Sequence, residues 1–207
     1  MQKKILTIVL ALFLANSFQL KAQYAKQDST FKKYFVGSTF AMLGNFIEKN
    51  NPEFVQLNLG YRLTGKDVVS LELKTWKYAW PLGIPFTGGS YEAPETEFPG
   101  YIREYGFALA YQRFLWKGLY AGVHVMNAWQ SFFDEEGNKI DTGFQLFNTY
   151  RLGYHFKFFN DTFFFEPSLA ITHRPYHSEI PNAFKQMDDQ WSKFLIGEPG
   201  LHFGFNS

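Results

Sequence analysis

The sequence predicts an all-β protein, a closed antiparallel β-barrel of eight transmembrane strands. Three observations indicate this fold. Short segments alternate apolar and polar residues with a period of two, which is typical of strands. Tight turns and long loops alternate between these segments, as they do in outer-membrane barrels. Finally, 25 Phe, 12 Tyr and 5 Trp make up 20% of the 207 residues, and so many aromatic side chains have to be buried or placed in lipid.

The N-terminus has the pattern of a secretory signal peptide. Lys3 and Lys4 precede an apolar run at 5–15, and a small residue, Ala22, stands at the expected cleavage point. An uncleaved anchor is the alternative, but the run is too short for a membrane-spanning helix, which needs about 20 residues. We therefore expect residues 1–22 to be a signal peptide for Sec-type export, residues 23–33 a periplasmic lead-in and residues 34–207 the barrel.

Eight strands are predicted along the mature chain. The first lies near 35–43, where the alternation does not fix which residues face inward. The next, at 55–63, has the clearest alternation of apolar and polar residues. The remaining strands are expected at 69–76, 104–112, 119–126, 144–155, 163–174 and 198–205. No helix is predicted, and no later segment is long and apolar enough for a transmembrane helix.

The connections between these strands are of two kinds. Those at 64–67, 116–118 and 159–161 are tight turns rich in Gly, Asn, Asp and Lys. Those at 44–52, 81–100, 130–141 and 175–192 are longer. In outer-membrane barrels the short turns face the periplasm and the long loops face outward. We expect the same orientation here.

The polar face of the strands is predicted to line the barrel. It is rich in Gly and Ala, which suit a crowded eight-strand interior better than a solvated surface. It also carries equal numbers of opposite charges, as burial requires. The predicted lumenal charge network consists of Arg62, Lys74, Arg151 and Arg174 with Glu72, Glu104, Glu166 and Glu198. Reflection across the turn at Asn160 places Arg151 opposite Ser168 and diagonal to Glu166. These features favour a membrane barrel over a soluble lipocalin-like barrel.

Aromatic residues are concentrated where the strands end. Trp116 lies at the turn side, together with Phe158 and Phe159. The loop side has Trp80, Tyr101, Trp129 and Trp191. Aromatic residues at both ends of a transmembrane barrel form girdles at the membrane interfaces. Trp80, Tyr101, Trp116, Trp129 and Trp191 are therefore the predicted aromatic girdle.

With these patterns, the mature chain resembles the small eight-stranded outer-membrane barrels of the OmpX, OmpW and OmpA-barrel type. The resemblance covers the whole mature chain and is one of pattern, since no diagnostic motif is present. In that family the last strand commonly ends in an aromatic residue, whereas Asn206 and Ser207 follow Phe205 here. The resemblance implies the outer membrane of a Gram-negative envelope as location. It implies outer-membrane lipids, lipopolysaccharide and the barrel-assembly machinery as partners, with the protein a monomer.

Composition excludes other classes of function. The 20 basic residues nearly balance the 19 acidic ones, so nucleic acid is not an expected partner. Because the chain has no cysteine, it has no disulfide framework, no cysteine zinc site and no thiol nucleophile. No Gly-rich phosphate loop is present. We predict no cofactor and no metal.

One polar segment, 172–179, contains residue types used in acyl transfer. His173, His177 and Ser178 are the candidates, because some outer-membrane barrels are lipid A deacylases or acyltransferases in which a His activates a Ser. However, His177 and Ser178 are adjacent and would point to opposite faces of an extended strand. The preferred interpretation is a polar loop without catalytic function.

Two other groups of residues have side chains of the types that bind metals, but they lack the spacing of a metal site. His124, His155 and His202 fall on the polar face and are expected to be hydrogen-bonded interior residues rather than ligands. The acidic run 134–138, with Asp141, lacks the spacing of a calcium loop and is predicted to be a solvated hairpin tip.

The sequence thus predicts an envelope structural or surface-interaction protein, with no enzymatic activity, that acts through its long external loops around a filled, charge-paired lumen. Two alternatives stay open. One is a narrow channel or binding barrel for small apolar molecules. The other is a lipid A-modifying acyl hydrolase or acyltransferase.

Overall fold

The computed structural model describes residues 32–46, 51–78, 99–189 and 192–207. The predicted signal peptide, most of the lead-in, Trp80, Trp191 and most of the 81–100 loop lie outside these residues. Within them, no helix is both long and apolar enough to cross a membrane.

The described chain is almost entirely β, as predicted. The strands are β1 Tyr34–Thr39, β2 Val55–Arg62, β3 Asp67–Tyr78, β4 Tyr101–Trp116, β5 Leu119–Phe133, β6 Lys139–Tyr154, β7 Phe156–Phe158, β8 Phe163–His177 and β9 Phe194–Asn206. Strand β7 continues β6 after an interruption at His155. With β6 and β7 counted as one strand, each strand pairs antiparallel with its sequence neighbour, and β1 also pairs with β9. The single sheet therefore closes into a ring of eight strands.

Several boundaries differ from the sequence prediction. Strand β1 ends at Thr39, and Phe40–Phe46 forms a 3-10 helix where the strand was expected to continue. A short helix, α1 (Asn182–Asp188), lies in the loop predicted without helix. The loop at 130–141 is instead a tight hairpin, because β5 and β6 remain paired from Leu119 and Tyr154 as far as Phe133 and Lys139.

Alternation along the strands separates an inner from an outer face of the ring. Gln112 Nε2 on β4 donates to Glu166 Oε1 on β8 at 3.0 Å. Gln145 Nε2 on β6 likewise donates to the hydroxyl of Tyr78 on β3 at 3.0 Å. These strands are not neighbours in the sheet, so the contacts cross the interior of the ring. The polar residues of the alternation therefore face inward, and the apolar ones face outward.

The β6–β8 register corrects the predicted position of Arg151. Three consecutive turn residues, Phe159, Asn160 and Asp161, have positive φ. The hairpin is centred after Asn160 rather than before it. As a result Arg151 pairs with Ala170, and Ser168 pairs with Gly153. The predicted pairing of Arg151 with Ser168 was wrong by two residues.

Candidate functional site

The charged interior of the ring is the candidate site, and all eight residues of the predicted network occupy inward-facing strand positions. Lys74 and Glu198 are partly buried. The other six are buried: Arg62, Glu72, Glu104, Arg151, Glu166 and Arg174. Their partners differ from the predicted Arg–Glu pairs, because histidines, amides and hydroxyl groups supply most of the contacts. The turn end of the ring carries the β2–β3, β4–β5 and β6–β8 turns, and the loop end carries the β1–β2, β5–β6 and β8–β9 connections.

Near the loop end, Glu104 has a side chain only 1% exposed. Trp76 Nε1 donates to its Oε1 at 2.9 Å, and the hydroxyl of Tyr78 donates to its Oε2 at 2.7 Å. Gln145 Nε2 also donates to Oε2. Among the described residues this carboxylate has no cationic partner. Three neutral donors from two strands, β3 and β6, therefore hold a buried carboxylate in place.

Lys74, close to this carboxylate network, contacts aromatic rings. Its Nζ lies 4.7 Å from the ring centroid of Trp76 and 5.4 Å from that of Phe147. A cation in contact with two ring faces gains attraction from their quadrupoles. In the described part of the chain Lys74 forms no ion pair with a carboxylate.

In the middle of the ring, Arg151 on β6 contacts Glu198 on β9 across the intervening strand β8. Its Nη2 lies 3.4 Å from Glu198 Oε1, and its Nη1 donates to Ser168 Oγ at 2.9 Å. Thr172 Oγ1 donates to the other oxygen of Glu198. The predicted proximity of Arg151 to Glu166 is replaced by this pair, because of the register described above.

Two histidines supply the partners that the sequence analysis did not assign. His124 Nδ1 lies 3.0 Å from Glu72 Oε1, and His155 Nδ1 lies 2.7 Å from Glu166 Oε1. The predicted interior position of these histidines could be inferred from alternation. Their carboxylate partners could not, because those depend on the relative heights of strands around the ring.

Polar contacts between the ends of strands close the turn end of the ring. Arg62 Nη2 donates to Asn206 Oδ1 at 2.9 Å, and Asn206 Nδ2 donates to the carbonyl oxygen of Asp161 at 2.7 Å. The rings of His155 and Phe164 stack beside them with centroids 5.0 Å apart. These contacts fasten the last strand to the β6–β8 turn.

The loop end is closed by α1, which the sequence did not predict. Phe184 is buried against Tyr78, Ile102 and Phe132. Arg174 binds Asp188 with two hydrogen bonds, Nη1 to Oδ1 at 2.6 Å and Nη2 to Oδ2 at 2.5 Å. The partner of Arg174 is thus Asp188, in the connection between β8 and β9. Strand alternation does not predict the positions of residues in such connections.

Two small cavities lie between the described residues of the interior. A cavity of about 30 Å³ lies in the middle, lined among others by Glu72, His124, Arg151 and His202. A second, of about 20 Å³, lies below α1 and is lined by Gln145, Phe184 and Asp188 among others. Each is large enough for one or two water molecules. Among the described residues no group of three or more His, Cys, Asp or Glu could hold a metal ion.

The three acyl-transfer candidates are close in sequence, but their reactive atoms do not meet. The ring of His173 stacks on Phe194, with centroids 4.2 Å apart, on the outer face. His177 Nδ1 contacts the carbonyl oxygen of Ser178 at 2.7 Å. Ser178 Oγ accepts from the backbone N–H of Phe144 at 2.9 Å. A nucleophile activated by a histidine needs a hydrogen bond between them, and this arrangement does not provide one.

Three residues of the predicted aromatic girdle lie within the described chain. Trp116, at the turn end, is 66% exposed. Tyr101 stacks on Phe133 with centroids 4.9 Å apart, and Trp129 stacks on Tyr105 at 6.1 Å, both near the loop end. Cross-strand stacking of this kind adds to the stability of the strand pairs.

The acidic run forms the tip of the β5–β6 hairpin. The backbone N–H of Asn138 donates to Asp134 Oδ1 at 2.7 Å, and the side chains of residues 135–138 are exposed. This geometry is that of a local turn closed by an Asp side chain.

The fold and the interior define a class: an all-β chain whose one antiparallel sheet closes into a ring around polar and charged side chains. Comparisons with family models, with curated proteins and with solved structures give no match. The resemblance to small outer-membrane barrels therefore stays a prediction.

Asp161, in the β6–β8 turn, is expected to make stability depend on pH. Burial by itself raises its pKa, but His155 and Lys157 nearby outweigh burial and lower the pKa from 3.8 to about 2. The ionised group therefore stabilises the fold fully above about pH 4, and this contribution is lost as the pH falls through about 2.

We expect Asp161→Asn to lower the free energy of unfolding at neutral pH by about 1 kcal/mol, because solvent screens a partly exposed group. Urea titrations of both proteins in detergent, at neutral pH and at acid pH, would measure this. The difference between them should shrink at acid pH, and a difference that is independent of pH would contradict the assignment.

Proposed function

We propose that the ring is a transmembrane β-barrel of an outer membrane, reached by Sec-type export. It would act as an envelope structural or surface-interaction protein through its loop end. The observation that carries this proposal is the outer face of the ring, which exposes large apolar side chains on every strand, while the charged network lies on the inner face.

The outer face would be unusual in water. Each of the eight strands of the ring presents at least one large aliphatic side chain to the outside that is at least 39% exposed. Around the ring these include Val36, Leu57, Leu73, Leu109, Val125, Leu152, Leu169 and Leu201. A soluble monomer rarely exposes a continuous apolar surface larger than a few hundred Å². A belt that surrounds the molecule suits contact with lipid acyl chains.

Closure of the sheet supports the same proposal. In a bilayer every backbone donor and acceptor has to find its partner within the protein, because lipid tails offer none. The antiparallel pairing from β1 round to β9, and from β9 back to β1, provides these partners along the paired part of each strand.

The filled interior supports a structural or interaction protein over a channel. The two cavities described above are of only about 30 and 20 Å³. An eight-stranded barrel commonly has its interior occupied in this way. Function would then reside at the loop end, which carries α1 and the tip of the β5–β6 hairpin. Outer-membrane lipids, lipopolysaccharide and the barrel-assembly machinery would be its partners in the envelope.

The proposal can be tested by locating the exported protein in a Gram-negative host. We expect it in the outer-membrane fraction, resistant to extraction with urea, and with a gel mobility that changes on heating because the folded barrel resists detergent. In planar bilayers it should give no steady single-channel currents. Recovery of the mature chain in the soluble fraction would contradict the barrel, and steady currents would contradict the filled interior.

A further inference from the structure

Lysines surround the turn end of the ring. Lys33 precedes β1, Lys66 lies in the β2–β3 turn, Lys117 lies in the β4–β5 turn, and Lys157 lies beside the β6–β8 turn. All four are exposed. The turn end has four junctions, counting the one where β1 begins and β9 ends, and each carries one of these residues. We refer to these four residues as the lysine collar.

The collar is not balanced by acidic groups. Outside the ring interior, the described turn end also holds two other cations, Lys32 and Arg113, and two carboxylates, Asp67 and Asp161. Arg113 Nη1 lies 2.6 Å from Asp67 Oδ1, and Lys157 Nζ lies 2.6 Å from Asp161 Oδ2. The other three collar lysines have no carboxylate partner within the described chain. An excess of positive charge thus surrounds this end.

Aromatic residues lie directly beside the collar. Lys117 Nζ is 4.7 Å from the ring centroid of Trp116, and Lys33 Nζ is 5.0 Å from that of Tyr61. Phe159, in the turn next to Lys157, is 80% exposed. Aromatic side chains of this kind favour the level where lipid tails meet the headgroups. The ammonium groups would therefore lie at the level of the lipid phosphates, which long lysine side chains readily reach.

The opposite end of the ring differs in charge. The described part of the loop end is rich in carboxylates, notably in the run 134–136 and at Asp141 and Asp189. The two ends would therefore select different lipid surfaces, and only the turn end is complementary to an anionic one.

We propose that the lysine collar binds the phosphates of anionic phospholipids in the leaflet that meets the turn end. The inference rests on the proposed function, since it requires the ring to cross a bilayer. Each unpaired lysine adds attraction to a negatively charged lipid surface, and the attraction decreases with ionic strength. The adjacent aromatic rings set the depth of the collar in that leaflet.

The test compares two lipids at the surface of the inserted protein. The full mature chain is reconstituted in phosphatidylcholine vesicles, and electron spin resonance measures the relative association of spin-labelled phosphatidylglycerol and phosphatidylcholine. The collar variant carries Lys33→Gln, Lys66→Gln and Lys117→Gln. A matched control at the loop end carries Lys139→Gln, Lys185→Gln and Lys193→Gln. The change in gel mobility on heating checks that each variant is folded.

We expect the unaltered chain to prefer phosphatidylglycerol by about threefold or more at low salt. The collar variant should show a ratio near one, and the loop-end control should keep the original preference. A ratio near one for the unaltered, inserted chain would overturn the collar alone, as would an equal loss in both variants. Failure to insert into any vesicle would instead overturn the proposed barrel, and the collar with it.

Discussion

Replacing Glu104 with alanine is expected to lower the free energy of unfolding by about 3 kcal/mol. The carboxylate accepts hydrogen bonds from Trp76, Tyr78 and Gln145 in a position closed to solvent. Alanine would leave these buried donors without an acceptor, and each unsatisfied group costs about 1–3 kcal/mol. Part of that loss is offset, because a charge no longer has to be buried.

Two variants separate the hydrogen bonds from the charge. Glu104→Gln keeps one oxygen acceptor and loses the charge, so we expect a smaller loss of about 1 kcal/mol. Glu136→Ala removes an exposed carboxylate at the β5–β6 hairpin tip and should have almost no effect. Urea unfolding in detergent, followed by tryptophan fluorescence, would measure all three. If Glu104→Ala were as stable as Glu136→Ala, the interior network would not stabilise the fold.

A charge at Leu109 is expected to cost about 2–4 kcal/mol when the protein is in a bilayer. Leu109 lies near the middle of β4 on the outer face and is 60% exposed. Exposed side chains of a soluble protein tolerate such a change with little effect. In a membrane, Leu109→Arg would place the guanidinium near the middle of the hydrocarbon layer, where its transfer is most costly.

Ile140→Arg is the matched control. Ile140 is also exposed, at 46%, but lies at the loop end near the start of β6. There the guanidinium would reach water, and we expect almost no change. The measurement is urea unfolding from lipid vesicles for both variants. Equal stability of the two would contradict burial of the outer face in lipid, whatever the shape of the ring.

Strand alternation was sufficient to predict which residues face inward. Glu72, Arg151 and His202 could be placed on the inner face because the period of a strand is two, independent of the rest of the fold. The all-β class and the antiparallel closure follow from the same pattern together with the short turns. Strand ends were less certain, because polar residues at 139–142 continue β6 and resemble a loop in sequence.

The partners of the interior groups could not be predicted from the sequence. Arg151 was placed opposite Ser168, but the turn is centred after Asn160, so Arg151 pairs with Ala170. Asp188 pairs with Arg174 from a helix within a loop, where alternation has no meaning. The partners of Glu104 lie on β3 and β6, and their heights depend on how strands are staggered around the ring.

The strands of the ring differ widely in length. Strand β1 has six residues, whereas β4 has 16. At about 3.4 Å per residue these strands are about 20 and 54 Å long. Tilted strands as long as β4 would cross a hydrocarbon layer of about 30 Å, whereas β1 is too short to do so. The bilayer around such a protein would be thinnest beside β1, where Leu43 and Phe46 of the 3-10 helix extend the apolar surface.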